Sequence, residues 1–298
     1  MISVGQSAPV ALDAGVKAPF SFVAYGDIRF METSNIKDSD PIRRKILVQK
    51  IAGEKPAFLL ITGDLVANGG VAQQWSVFDN ESSPFQAAGV KLYPALGNHD
   101  LRGDLPVALK NYFQRFPYLQ QNRYYSVRAD NVMVLTLDSS LDHPGGPEMQ
   151  WFERQIDALP DGIQFVVVQL HHPPLTRSTD SVFGGGHAPR AVEQDMAGFL
   201  ESKAAKSKAK FIVVAGHVHN YERYERDGVM YIVTGGGGAT PYMIQRQSND
   251  AYKDIGASYH YCHFDVKPGQ IEMHMVKLDL LGNKPTWQDR DSFKWTAK

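Results

Sequence analysis

The run Val90-Lys91-Leu92-Tyr93-Pro94-Ala95-Leu96 passes directly into Gly97-Asn98-His99-Asp100. An apolar, β-prone run closed by Gly and Asn reads as a strand ending in a turn. Three of the four turn side chains can do chemistry. Asn98 offers a neutral carbonyl oxygen, His99 can be an acid or a ligand, and Asp100 can hold that imidazole in one tautomer. Four other runs end the same way. Phe20–Tyr25 leads into Gly26-Asp27-Ile28-Arg29, and Phe58–Thr62 into Gly63-Asp64. Phe165–Leu170 leads into His171-His172, and Phe211–Ala215 into Gly216-His217-Val218-His219. If these strands are neighbours in one sheet, all five clusters meet at one rim, where open α/β sheets bind their ligands. Two Asp, one Asn and three or four His make a nitrogen-and-oxygen metal site without thiolate.

Each motif also has a plainer reading. Gly-Asn-His-Asp alone is an ordinary turn, and Asp27 or Asp64 alone is an ordinary helix N-cap. A lone His-x-His is mostly surface or core histidine. Gly before both Asp27 and Asp64 argues for a close approach to the backbone. Taken together, the five clusters favour a shared metal site.

The set Gly-Asp-x-Arg, Gly-Asp, Gly-Asn-His-Asp, His-His-Pro-Pro and Gly-His-Val-His resembles the calcineurin-like metallophosphoesterases, in the family's order and over roughly residues 20 to 280. The stretch Gly216-His217-Val218-His219-Asn220-Tyr221-Glu222-Arg223 resembles the purple acid phosphatase branch in particular. The resemblance implies a four-layer αββα sandwich with two packed mixed sheets and flanking helices. It implies two divalent metal ions (Mn, Fe or Zn), one held by Asp27, Asp64 and His219, the other by Asp64, Asn98, His171 and His217. Asp64 is then the bridge. His171 rather than His172 is the ligand, which leaves His172 to substrate contact or packing.

Two metals ~3.5–4 Å apart suit in-line displacement at phosphorus, one lowering the pKa of a bound water and both neutralising charge on the phosphate oxygens. His99, with Asp100 behind it, is placed to give the leaving alkoxide its proton. Arg29 stands where the family usually has His, or Gly in purple acid phosphatases. Ala67 stands where purple acid phosphatases have Tyr, so a tyrosinate-bound iron lacks its tyrosine. Guanidinium has no lone pair for a metal, so Arg29 either leaves the first metal site weak, replaces that metal as a phosphate-binding group, or makes a rim salt bridge. His187 is a solvated loop residue or a substrate contact. Gly235–Gly238 could cradle phosphate, but no Lys-Ser/Thr follows, which leaves a plain loop near the site as the reading.

The function expected is a metal-dependent phosphoesterase acting on phosphomonoesters or small phosphodiesters. The alternatives are a catalytically weak metal- and phosphate-binding protein of the same fold, and an interaction protein with adventitious metal. The His99–Asp100 pair separates the first from the others, because a protein needing only metal has no use for an acid.

The chain has 298 residues, 43% hydrophobic and 21% charged, enough for one large domain with a real core. A net charge of −1 gives no bias toward nucleic acid or anionic membrane. One cysteine, Cys262, excludes an internal disulfide. No apolar run approaches the ~20 residues of a membrane span. No signal-peptide hydrophobic region follows Met1. Residues 2–19 are small and polar, a composition compatible with an exported protein whose leader has been removed. Compartment and oligomeric state stay open.

The order of elements alternates strand and helix, then adds hairpins at Ala129-Asp130-Asn131, Asp227-Gly228 and Lys267-Pro268-Gly269. Helices are expected from Pro41, Ala72, Leu105, Pro147 and Ala191. Residues 20–280 form the domain, 1–19 an N-terminal extension, and 281–298 a polar tail across the surface. His260, His263 and His274 lie in strand pattern and read as structural. His143 and the glycine-rich segment 184–186 read as loop.

Overall fold

A computed structural model describes residues 9–32, 38–141, 145–179, 187–282 and 284–298. His143 and Gly184–Gly186 lie outside the described residues. The strands are β1 (Ala11–Asp13), β2 (Phe20–Tyr25), β3 (Phe58–Ile61), β4 (Lys91–Pro94), β5 (Tyr125–Ala129), β6 (Val132–Thr136), β7 (Phe165–Gln169), β8 (Lys210–Ala215), β9 (Tyr221–Arg226), β10 (Val229–Thr234), β11 (Tyr259–Lys267), β12 (Gln270–Leu281) and β13 (Lys284–Thr296). The helices are α1 (Pro41–Glu54), α2 (Ala72–Glu81), α3 (Ser83–Ala87), α4 (Leu105–Arg115), α5 (Pro147–Asp157) and α6 (Ala191–Lys206).

Two mixed sheets carry the fold. One has the order β1-β5-β6-β7-β8-β10-β9, the other β13-β12-β11-β2-β3-β4. Strand alternation builds the layers. Val134, Val167, Ile212, Val214 and Ile232 turn inward to a core shared with Phe22, Ala24, Phe58 and Phe264 of the second sheet. Their neighbours Leu135, Val166, Val168, Phe211 and Val213 turn outward, onto Trp151 and Phe152 of α5 and Ala197 and Leu200 of α6. Leu47, Val48 and Ile51 of α1 join the core on the other sheet. The result is helix on sheet on sheet on helix, as expected.

Local chemistry explains the helix starts. Asp40 caps α1 through its Oδ1, which accepts from the Ile42 and Arg43 amides at 3.0 Å each, with Pro41 in the first turn. Asp104 caps α4 in the same way, on the Val107 amide at 3.0 Å.

The two ends of the chain differ from expectation. The segment read as a surface tail forms β13, antiparallel to β12 from Gln270↔Thr296 to Leu281↔Lys284. Within the stretch read as an extension, β1 pairs in parallel with β5. An edge strand has one neighbour and little burial, so its side chains keep a tail-like polarity.

Candidate metal centre

The five polar clusters do meet, though not along one sheet. The strands β2, β3 and β4 run parallel in one sheet, and β6, β7 and β8 run parallel in the other. Asp27, Asp64 and Asn98 therefore leave the carboxyl ends of one sheet, and His171, His217 and His219 those of its partner. The site lies where the two carboxyl edges adjoin. The sequence does not tell which of the two expected sheets each run joins, because buried parallel strands look alike in either.

Sharp backbone turns aim the ligands. Asp27, Arg29, Asp64 and His217 all have positive φ, at 56°, 51°, 54° and 69°. Each such residue costs about 1 kcal/mol or more and persists only where its surroundings fix it. Here backbone hydrogen bonds do so. The Asp27 amide donates to the Gly63 carbonyl at 3.0 Å, and the Arg29 amide to the Asp64 carbonyl at 2.9 Å. The Ala239 amide donates to the Asp27 carbonyl at 2.7 Å. The run Gly235–Gly238 is the seam against this loop. A Cβ on Gly237 would sit 2.4 Å from the Gly26 carbonyl oxygen, and one on Gly235 2.8 Å from Asp27 Oδ2. These glycines pack the first motif into place.

Asp64 is fully buried and faces two ways. Its Oδ1 accepts the His99 amide at 2.9 Å and lies 3.4 Å from His171 Nε2. Its Oδ2 lies 3.3 Å from Arg29 Nη2, 3.4 Å from Arg29 Nε and 3.8 Å from His99 Nε2. Burial alone would raise the Asp64 pKa, but His171, His99 and Arg29 hold it well below the ordinary carboxylate range. Asp27 is pushed the other way, by burial and then by the charge of Asp64.

On the Oδ1 side, donor atoms crowd together. His171 Nδ1 bonds the Thr62 carbonyl at 2.8 Å, which places its proton there and leaves Nε2 bare. That bare nitrogen lies 2.9 Å from Asn98 Oδ1 and 3.2 Å from His217 Nδ1, with Asn98 Oδ1 3.1 Å from His217 Nδ1. Lone pairs of His171, Asn98 and Asp64 thus face one another. Four donors around one cation at about 2.0–2.2 Å would stand roughly 3.3–3.6 Å apart. The donor set fits a divalent metal. Burial, then the neighbouring His171, lowers the His217 pKa, which keeps its ring neutral and able to ligate.

Asp27, Asp64 and His171 also offer ligand atoms within 4.8 Å of one another; Asp27 Oδ2 accepts the His217 amide at 2.8 Å, while its buried Oδ1 has no hydrogen-bond partner. His219 Nε2 is likewise buried without a partner, 3.6 Å from Asp27 Oδ1. Its Nδ1 is fixed on the Thr240 carbonyl at 3.1 Å. Two orphaned donors aimed at each other fit a second cation.

The other expected site residues divide. His172 is anchored through Nδ1 to Ser139 Oγ at 2.8 Å, with its ring centroid 4.4 Å from that of His217. His171, His172 and His217 offer nitrogen atoms within 4.8 Å of one another. Burial and the adjacent His171 bring the His172 pKa down to about 2. His187 reaches the site, with its ring centroid 4.3 Å from that of His217. The expected contact of His99 with Asp100 does not form. His99 Nδ1 bonds the Ala67 carbonyl at 2.9 Å. The Asp100 oxygens accept the Val66 amide at 3.1 Å and the Gly97 amide at 2.9 Å. Asp100 shapes the loop, and a backbone carbonyl orients the imidazole. Burial lowers the His99 pKa to about 4, with Asp64 opposing and Arg29 assisting.

Sequence reading missed Tyr242. Its hydroxyl accepts the His219 amide at 3.1 Å and its ring centroid lies 5.4 Å from that of His219. It sits in an irregular segment without periodicity, so no motif flags it.

The sequence model of calcineurin-like phosphoesterase matches residues 21–221, two thirds of the chain. Among curated proteins, the chain is 26% identical over 241 residues to probable purple acid phosphatase 20 of Arabidopsis thaliana, covering 74% of this chain and 52% of that one. The chain thus spans about half the length of that relative. Among solved structures, purple acid phosphatase PPD1 from yellow lupin superposes with a TM-score of 0.73 at 18% identity, over 95% of this chain and 55% of that chain. GAP50, described as the anchor in the inner membrane complex of Plasmodium, superposes with a TM-score of 0.67 at 15% identity, over 95% and 90%. The two structures show the shared fold, and the family match covers the clusters assembled above: this chain belongs to the calcineurin-like phosphoesterases, on the purple acid phosphatase-like side of that family.

Proposed function

We propose that this chain is a metal-dependent phosphoesterase acting on phosphomonoesters or small phosphodiesters. One observation carries the reading. Asp64 is buried and shared, with Oδ1 on the His171 side and Oδ2 on the Arg29 and His99 side. Asp64, Asn98, His171 and His217 would hold one cation, and Asp27, Asp64 and His219 the other. A bound divalent pair supplies Lewis acidity to the phosphate oxygens and makes attacking water a better nucleophile.

The remaining groups act on the substrate. His172, His187 and Arg29 surround the donors and would bind phosphate oxygens. Guanidinium suits this task, since its fork matches two oxygens. His99 Nε2 would give its proton to the leaving oxygen while the Ala67 carbonyl holds Nδ1. The negative charge of a bound phosphate would oppose the burial that depresses its pKa.

A second reading has one observation in its favour. Arg29 already lies on Asp64 Oδ2, so a metal on that side competes with a fixed positive charge. On this reading the chain binds metal and phosphate but turns over weakly. Assay of Mn, Fe, Zn and Co forms against aryl phosphate mono- and diesters separates the two. The enzyme reading expects chelator-sensitive hydrolysis with at least one metal. Phosphate binding without hydrolysis in any form would favour the second. No described helix is long and apolar enough to cross a membrane.

A further inference from the structure

A second space opens beside the metal centre. A cavity of about 210 Å³ lies at the carboxyl ends of β6 and β7, against the first turns of α5 and α6. Leu137, Leu141, Met149, Leu170, Met196 and Phe199 give it an apolar wall. An apolar void of roughly 150 Å³ is enough to bind benzene, so this one has room for a single ring or a branched alkyl group. Of the acids around it, Asp138 is paired with Arg123 at 2.5 Å and Glu193 with Arg190 at 2.6 Å, and Asp195 is exposed. Glu148 differs from these. It is buried, and its Oε1 accepts the Asp138 amide at 2.6 Å. Burial pushes its pKa up to about 8, which leaves the acid uncharged at neutral pH. The interior thus offers apolar contacts and one neutral acid.

Short contacts join this cavity to the metal centre. Ser139 lines the cavity, and its Oγ lies 2.8 Å from His172 Nδ1 and accepts the His172 amide at 3.0 Å. The His172 ring centroid is in turn 4.4 Å from that of His217. His172 therefore touches the cavity wall through Ser139 and the metal donors through His217. Leu170, also on the wall, directly precedes His171. We propose that the cavity receives an apolar end group of the substrate while its phosphate lies at the metal centre. The preferred substrate class is then a phosphoester whose organic part ends in an aryl or branched alkyl group, on a spacer long enough to pass His172. This rests on the phosphoesterase reading for where the phosphate lies, but its test needs no turnover.

The test is calorimetric binding of three non-hydrolysable probes to the Mn-loaded full chain: propylphosphonate, 3-phenylpropylphosphonate and 3-aminopropylphosphonate. Metal content is measured in every sample. Burying one ring should favour the phenyl probe over the propyl probe about tenfold or more. Val192 is half-buried on the cavity wall, where added bulk fills the space. Val192→Trp should bind these two probes nearly alike. Met196→Ala, which removes wall instead of adding bulk, should weaken the phenyl probe severalfold and leave the propyl probe unchanged. Glu148→Gln, neutral like the acid it replaces, should keep the preference. Equal binding of the phenyl and propyl probes by the unaltered protein overturns the proposal, as does a preference that Val192→Trp and Met196→Ala leave intact. Tightest binding of the aminopropyl probe, or failure of all three to bind, also overturns it. Chelator-sensitive hydrolysis of an aryl phosphate with equal probe binding would leave the phosphoesterase reading standing and remove only this one.

Discussion

The two groups of donor atoms around Asp64 use the same kinds of side chain and are not equivalent. On the Oδ1 side, Asn98, His171 and His217 bring donor atoms to within 2.9–3.2 Å of one another, with no positive side chain among them. In the second donor group, Asp27 Oδ1 and His219 Nε2 stand 3.6 Å apart, and the Arg29 guanidinium lies 3.3 Å from Oδ2 of the shared Asp64. A cation entering the first side meets only lone pairs. One entering the second shares its carboxylate with a permanent charge, a repulsion that burial makes stronger. On the proposed two-metal reading, one residue, Arg29, would turn a symmetric pair of sites into a strong one and a weak one.

The largest expected effect comes from removing what both sides share. Asp64→Ala should lose at least one metal by elemental analysis and reduce phosphatase activity at least roughly a thousandfold, since metal catalysis supplies several kcal/mol. Unchanged metal content would sink the bridging role. Next comes His99→Ala, which should keep its metal. General acid catalysis is typically worth ~10²–10⁴-fold, so alkyl phosphates should lose about that much and aryl phosphates, with better leaving groups, distinctly less. Equal losses on both would assign His99 another task.

A smaller change should touch one side alone. Tyr242 supports His219 through the backbone, so Tyr242→Phe should weaken the Oδ2-side metal about tenfold, the low end for loss of an outer-shell partner. The Oδ1-side metal should be unaffected. If titration shows both sites weakened alike, Tyr242 supports the whole loop and not one side.

The smallest effect lies away from the site and serves as its control. His263 Nδ1 bonds Glu54 Oε2 at 2.9 Å. Burial alone would lower the His263 pKa, but Glu54 raises it above 6.5. Burial alone would raise the Glu54 pKa, but hydrogen bonds from His263, Tyr261 and Lys50 lower it below 4.5. The raised group stabilises fully below pH 6.5 and loses that contribution as pH rises through its folded pKa. The lowered group stabilises above pH 4.5 and loses its contribution as pH falls through its own. The pair should therefore help most between pH 4.5 and 6.5. His263→Gln should cost under about 1 kcal/mol there and less at pH 9. Denaturant melts at the two pH values check this, and a larger cost at pH 9 would reverse the assignment.

Much of this was legible in the sequence because strand ends announce themselves. An apolar run that breaks at Gly-Asp or Gly-His marks both the turn and its chemistry, and the six side chains expected to hold metal do come together. What was not legible depends on direction and partners. Adjacent residues cannot show which way each side chain turns, so Asp100 was read as a partner of His99 when it binds the Val66 and Gly97 amides. Parallel runs do not say which sheet they join. The polar alternation of β13 looked like a tail because a sheet edge buries little of it. The glycine run was read as a loop, and only its closeness to Gly26 and Asp27 shows that it packs the first motif.

The inequality of the two sides is tested most directly by counting metals. Chelator-stripped protein, unaltered and as Arg29→His, is titrated with Mn(II) by calorimetry. The account predicts two metals per chain in the unaltered protein with clearly unequal affinity, and a selective tightening of the weaker one in Arg29→His, where an imidazole replaces the guanidinium. One metal per chain at saturation, rising to two in Arg29→His, would contradict it, because Arg29 would then stand in place of the second cation.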